Sequence, residues 1–128
     1  MKLLLDTHAF IWWASEPAKL SDKVIELCQS GDNILLLSVT SAWEMQIKMQ
    51  LRKLRLQRPL QEIIARQQDN NDLQILPILL EHVLELNNLP FHHNDPFDRL
   101  LIAQASKENA VLVSKDSVFL NYDVQVMW

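Results

Sequence analysis

Apolar residues gather in short, nearly continuous runs: Lys2 to Leu5, Ile34-Leu35-Leu36-Leu37, Leu73-Gln74-Ile75-Leu76, Val111-Leu112-Val113 and a weaker Val124-Gln125-Val126. Runs that do not alternate with polar residues predict strands covered on both faces, as in a parallel sheet. Helical patterns lie between them. Ser21 to Gln29 opens with a serine cap and stops near Gly31; Ser41 to Lys53 carries apolar residues at helical spacing; Leu60 to Gln68 follows Pro59; Ile78 to Leu86 ends at Asn87, Asn88 and Pro90. The clearest helix opens at Asp95-Pro96, with aspartate as cap and proline in the first turn, and runs to about Glu108. Alternating strands and helices predict a three-layer α/β/α sandwich around a central, mainly parallel sheet of four to five strands. No repeat or linker divides residues 1–128, which read as one domain.

Composition narrows the function. The chain has one glycine, Gly31, which excludes the glycine-rich phosphate loops of dinucleotide and P-loop proteins. Its one cysteine, Cys28, forms no internal disulfide and sits in a helical pattern as a buried thiol. Neither a signal peptide nor an apolar stretch near the ~18 residues of a membrane span is present, so a cytoplasmic protein with no membrane partner is expected. Net charge is −4, yet six of the twelve Lys and Arg (Lys48, Arg52, Lys53, Arg55, Arg58, Arg66) fall between positions 48 and 66 beside one acid, Glu62. That segment reads either as a solvated helix face or as a phosphate-binding surface.

In open parallel sheets ligands sit beyond the carboxyl ends of the strands, so acids just after strands take priority. Four qualify: Asp6 ends the first run, Glu44 sits in the first turn of the helix after the second, Asp98 opens the late helix, and Asp116 follows Val113-Ser114-Lys115. Each has a structural explanation. Asp6 or Thr7 caps the next helix, Ser41-Ala42-Trp43-Glu44 spells a capping box, Asp98 complements a helix dipole, and Asp116 caps a turn. Held close together, four carboxylates repel one another and call for a cation, and oxygen-only ligands select hard ions such as magnesium or manganese. No histidine or cysteine set has zinc spacing. His92-His93 are candidates for a ligand or proton carrier, His8 for a substrate contact or a helix start, and His82 reads as structural. No serine or cysteine has a base at a recognisable spacing.

These residues resemble the PIN domain, and within it the VapC-type toxins of toxin–antitoxin pairs. The matching stretches are Leu3-Leu4-Leu5-Asp6-Thr7-His8, Ser38-Val39-Thr40-Ser41-Ala42-Trp43-Glu44, Asp95-Pro96-Phe97-Asp98-Arg99-Leu100-Leu101-Ile102-Ala103-Gln104-Ala105, and Leu112-Val113-Ser114-Lys115-Asp116. The resemblance implies an endoribonuclease that uses one or two Mg2+ or Mn2+ ions held by Asp6, Glu44, Asp98 and Asp116. It implies hydrolysis by activated water, leaving 5′-phosphate and 3′-hydroxyl ends. Thr7 and Ser114 match hydroxyl positions that support the cluster, and Asp95 is a further supporting candidate. With an acidic site, Lys48, Arg52, Lys53 and Arg55 become RNA-binding candidates. Phe10, Trp12 and Trp13, on a helix apolar nearly all round, become candidates for an antitoxin or dimer surface; Trp12, Trp13 and Trp43 are also candidates for stacking on bases. The family implies a homodimer and a cognate antitoxin as partners. A receiver domain is disfavoured because no aspartate follows the third strand, and a haloacid-type phosphatase because His8 stands where its second aspartate is needed. The remaining rival is a PIN-like module that binds RNA or protein without cutting.

Overall fold

The computed structural model describes all residues 1–128. Five strands, β1 (Lys2–Leu5), β2 (Ile34–Ser38), β3 (Gln74–Leu76), β4 (Val111–Val113) and β5 (Val126–Met127), form one sheet in the order β3-β2-β1-β4-β5, every neighbouring pair parallel. Six helices connect them: α1 (Thr7–Ser15), α2 (Asp22–Gln29), α3 (Val39–Gln50), α4 (Leu60–Asn71), α5 (Leu80–Glu85) and α6 (Pro96–Glu108). Three 3-10 turns, Pro17–Lys19, Leu86–Asn88 and Ser117–Asn121, complete the chain.

Strand side chains point alternately to opposite faces, and β1 divides its leucines accordingly. Leu3 and Leu5 join Leu35 and Leu37 in a core with Ala9, Phe10, Val24, Cys28, Met45, Leu60 and Ile63 from α1 to α4. Leu4 and Leu36 face the other way, against Leu101, Ile102 and Ala105 of α6 and against Phe119 and Tyr122. Both faces are therefore covered, which is why the strands read as unbroken apolar runs. Truncating Leu4, fully buried at the centre, to alanine would cost about 2–5 kcal/mol.

Three boundaries differ from those expected. β2 passes directly into α3: Ser38, the last strand residue, is the cap, its hydroxyl accepting from the Thr40 amide at 2.9 Å. Ser41 is therefore not a cap, and Glu44 lies in the second turn rather than the first. β5 lies at Val126–Met127, later than the run that predicted it, because Val126 pairs with Leu112. The apolar pattern from Ile78 to Leu86 becomes the shorter α5 followed by the 3-10 turn.

Strand order reverses at β1, since β2 and β3 lie on one side and the chain then crosses to β4 and β5 on the other. The crevice outside the carboxyl ends of β1 and β4 is the switch point of the sheet, where open α/β folds bind their ligands.

Candidate active site

Asp6 and Asp116 flank that crevice. The Asp6 amide extends the ladder, donating to the Val113 carbonyl at 3.1 Å, so the side chain emerges at the carboxyl edge. Its Oδ1 accepts from the Ala9 amide at 2.8 Å and caps α1. Ser114 follows β4; its hydroxyl accepts from the Asp116 amide at 3.0 Å and also meets the Asp6 carboxyl. Asp116 in turn caps the last 3-10 turn, accepting from Val118 at 3.0 Å. Asp6 is only 7% exposed. Burial raises its pKa, and the like charge of Asp116 adds to the rise; bonds from Ser114 and Ala9 and the charge of His8 oppose it.

Glu44 and Asp98 form the other side. Thr7, next to Asp6, donates from Oγ1 to Glu44 Oε1 at 2.6 Å, and Lys48 places Nζ 3.0 Å from Oε2 one turn further along α3. Asp98 lies in the first turn of α6, whose cap is Asp95, accepting from the Asp98 amide at 3.0 Å. The Nε2 of His93 lies 2.8 Å from Asp98 Oδ2. Burial above all pushes the Asp98 pKa up to about 6, the charges of Asp95 and Glu44 push the same way, and His93 opposes them.

Asp6 thus feels Asp116, Asp98 feels Glu44, and Thr7 links the two pairs. No three of the four bring carboxylate oxygens within 4.8 Å of one another; the one trio of potential ligands that does so is Glu81, His82 and Glu108. That trio lies at the amino edge, where Lys2 of β1 is 3.7 Å from Glu108. His82 is spoken for there: Nδ1 accepts from the Leu79 amide at 3.0 Å, which leaves the Nε2 proton for Glu108 at 3.0 Å. It is the structural histidine expected from the sequence. The four-acid edge offers carboxylate and hydroxyl oxygens, with the His93 imidazole on Asp98 and the Lys48 ammonium on Glu44 beside them, and the oxygen donors fit a hard divalent cation.

A cavity of about 400 Å³ opens beside it, lined among others by Thr7, His8, Trp12, Lys48, Lys53 and Arg55. A second, of about 210 Å³, is lined by Asp6, His8, Trp12, Lys115 and Asp116. His8 and Trp12 border both, their rings 5.6 Å apart, and Trp12 also meets Trp128 edge-on at 5.7 Å. Lys48, Lys53 and Arg55 therefore line a groove that reaches Thr7 and, through Lys48, Glu44. Arg52, in a left-handed backbone conformation (φ 58°), does not line the groove. Arg58 and Arg66 are engaged by Glu62 at 2.9 and 3.3 Å. The largest cavity, about 650 Å³, lies by the amino ends of β2 and β3 and contains none of the four acids.

Of the expected partner surface, only Trp12 borders an open groove. Phe10 is 1% exposed and belongs to the core, since its turn of α1 faces the sheet; Trp13 also packs against that core, its indole nitrogen buried. Trp43 is 55% exposed and meets Phe97 edge-on at 5.0 Å. His92 packs against Tyr122 at 5.4 Å.

Arg99 escaped the sequence, and so did the particular contacts of two residues it had singled out, His93 and Lys48. His93 reaches Asp98, a contact that no periodicity reveals. Lys48 pairs with Glu44 at a separation of four, which was legible as a helical ion pair. Arg99, buried, donates to the carbonyls of Pro90 at 2.8 Å and His93 at 3.3 Å, with Leu86 and Leu89 at 3.5 and 3.4 Å, and its guanidinium lies 4.1 Å over Phe91. It shapes the loop that delivers His93, and a lone arginine inside an apolar helical run was its signal.

The sequence profile of the PIN domain matches residues 3–125. The chain belongs to the PIN domain family. PIN domains are generally nucleases. Among solved structures, the chain is similar to one in the VapBC2 complex of Rickettsia felis bound to a promoter DNA fragment, with TM-score 0.75 and 17% identity over 99% of this chain and 98% of that one. It is also similar to VapBC-1 of nontypeable Haemophilus influenzae, at TM-score 0.68 and 17% identity over 99% and 97%. FitAB bound to an IR36 DNA fragment follows at 0.62 and 18% over 98% and 93%. At these identities the likeness establishes the PIN fold. No curated protein sequence matches the chain. No helix is long and apolar enough to cross a membrane.

Proposed function

We propose that this PIN domain is a cytoplasmic endoribonuclease, dependent on Mg2+ or Mn2+, and the toxin of a toxin–antitoxin pair. One observation carries the reading: two pairs of acids, Asp6 with Asp116 and Asp98 with Glu44, lie close enough to repel at the carboxyl edge of the sheet, and Asp6 and Asp98 are held there at a cost in ionisation. Capping of α1 and of the last 3-10 turn accounts for Asp6 and Asp116 singly but not for their closeness, nor for that of Asp98 and Glu44, and a divalent cation offsets both repulsions.

Asp6, Glu44, Asp98 and Asp116 would hold the ion. When bound, it supplies a counter-charge for the scissile phosphate and acidifies a water for attack. The side chains around it have separate tasks. Thr7 fixes the rotamer of Glu44, Ser114 orients Asp6, and His93 holds Asp98 against its repulsion from Glu44. Lys48, Lys53 and Arg55 bind phosphates flanking the cut, which compensates for the acidic edge. Trp12 and His8 present ring faces between the basic groove and the acids, where an unpaired base can stack.

The toxin assignment rests on similarity to VapBC and FitAB components. Trp12 is the one residue of the proposed antitoxin surface left facing a groove. α5 exposes Leu80 (72%), Val83 and Leu84, an apolar face open to a second copy of the chain.

Incubation of mixed RNA with Mg2+, Mn2+ or chelator tests the activity. Metal-dependent fragments with 5′-phosphate ends, absent from Asp6→Asn and Glu44→Gln, are expected. The separation of the four acids, with Lys48 on Glu44 and His93 on Asp98, favours one rival, a silent module two of whose acids already have basic partners. RNA binding with no cleavage under any metal condition would support it.

A further inference from the structure

Gln104 stands inside the longest family-like motif, six residues beyond Asp98, and no role in the site falls to it. It is fully buried. A buried amide costs several kcal/mol when left unpaired, and leucine or methionine would fill the same volume without that cost. Yet every polar atom of Gln104 is engaged. Oε1 accepts from the hydroxyl of Ser38 at 2.5 Å and of Thr40 at 3.3 Å; Nε2 donates to the Pro77 carbonyl at 3.2 Å and lies 3.4 Å from His82 Nδ1. Ser38 is the cap of α3 and His82 bonds the amide that precedes α5, so one side chain on α6 ties down the starts of two other helices.

The seam between α3 and α6 has a second contact. Phe97, seven residues before Gln104 and so about two turns away on the same face, meets Trp43. Thr40 pairs with Gln104 and Trp43 with Phe97, so two separate contacts join α3 to α6. The next residues after the aromatic pair are Glu44 and Asp98. Their separation is therefore set by a polar lock at one end of the seam and an aromatic contact at the other. Hydrophobic packing tolerates sliding, but a hydrogen-bond network with every member satisfied fixes one register.

We propose that Gln104 is a positioning residue, whose bonds to Ser38 and Thr40 set the spacing of Glu44 and Asp98 for cation binding. The proposal rests on the metal-nuclease reading, but part of its test does not. The test compares the parent, Gln104→Leu and Thr40→Val. Three quantities are measured: the melting temperature in chelator, the Trp43 indole resonance in metal-free protein, and the Mn2+ affinity by calorimetry. Gln104→Leu strands the buried hydroxyls of Ser38 and Thr40 and should melt lower than the parent by on the order of 10 °C; while still folded it should move or broaden the Trp43 resonance and weaken Mn2+ binding about 10- to 100-fold, the usual effect of losing a residue that orients a ligand. Thr40→Val, which leaves the α3 cap in place, should shift both readouts in the same direction by less, and it decides the question if Gln104→Leu fails to fold. An unmoved Trp43 resonance with parental Mn2+ affinity would overturn the proposal and make Gln104 a packing residue. If the parent itself binds no Mn2+, the metal reading fails, and the Trp43 resonance alone upholds or overturns the lock.

Discussion

Asp98→Asn removes one carboxylate from the acidic edge while conserving shape, and the structure gives its effect both sign and size. The Asp98 carboxyl is pushed from its ordinary 3.8 up to about 6, burial being the largest cause. A group whose pKa is raised on folding favours the folded state below its unfolded value and withdraws that stability as pH rises through the folded value. For metal-free protein the loss falls between about pH 4 and pH 6 and amounts to about 3 kcal/mol at most, with 24% of the side chain still exposed to screening water. Asparagine imitates the neutral form. In chelator at pH 7 the variant should therefore melt higher than the parent, by on the order of 10 °C for a chain of this size, and the gain should vanish by pH 4. Mn2+ at a hundredfold excess over its dissociation constant would add about 2.7 kcal/mol to the parent and much less to the variant, whose cleavage should be abolished. Scanning calorimetry across pH 4–8, with chelator and with Mn2+, measures both arms. A variant no more stable than the parent at pH 7 would refute the desolvation argument. Equal metal-induced shifts in the two proteins would remove Asp98 from the ligands and redraw the site around Asp95.

Lys53→Ala with Arg55→Ala should weaken RNA binding and lower the slope of log affinity against log salt by about 1 to 1.5 in filter-binding titrations, as expected for two lost phosphate contacts on a single strand. Unchanged slopes would make the basic segment a solvated face. Arg99→Leu strands four carbonyls around the loop that carries His93 and should cost about 2–4 kcal/mol in urea unfolding; a loss under 1 kcal/mol would show that water replaces the guanidinium. Cys28, buried and pushed up to about 11, should react with a thiol reagent at pH 8 about a hundredfold more slowly in native than in unfolded protein, a ratio near one indicating local opening of α2.

What could be read in the sequence was what depends on neighbours along the chain. Unbroken apolar runs placed β1, β2 and β4, because burial on both faces leaves no polar alternation to hide them; β3, at the sheet edge with Gln74 and Ile75 exposed, was placed by a run that Gln74 interrupts. Asp95-Pro96 marked the start of α6 because cap and proline act within one turn. The four acids stood out for a related reason: each lies one to a few residues beyond a strand or in the opening turns of a helix, so topology brings them to one edge before any tertiary contact is known. The failures share an opposite cause. Ser38, Thr40 and Ser41 are all capable of capping, and the choice of Ser38 depends on β2 running into α3 without a loop, which strand pairing decides. Phe10 looked like surface because α1 is apolar on several sides, and only the docking of α1 on the sheet reveals which side is covered. His93 and Arg99 act through a loop without periodicity, and Gln104 acts across separations of 66 and 64 residues. The candidate site is thus legible where its acids begin helices and end strands. The groups that hold those acids in place are long-range contacts, and a polar residue inside an otherwise apolar helix face, as Arg99 and Gln104 are in α6, is the one local trace they leave.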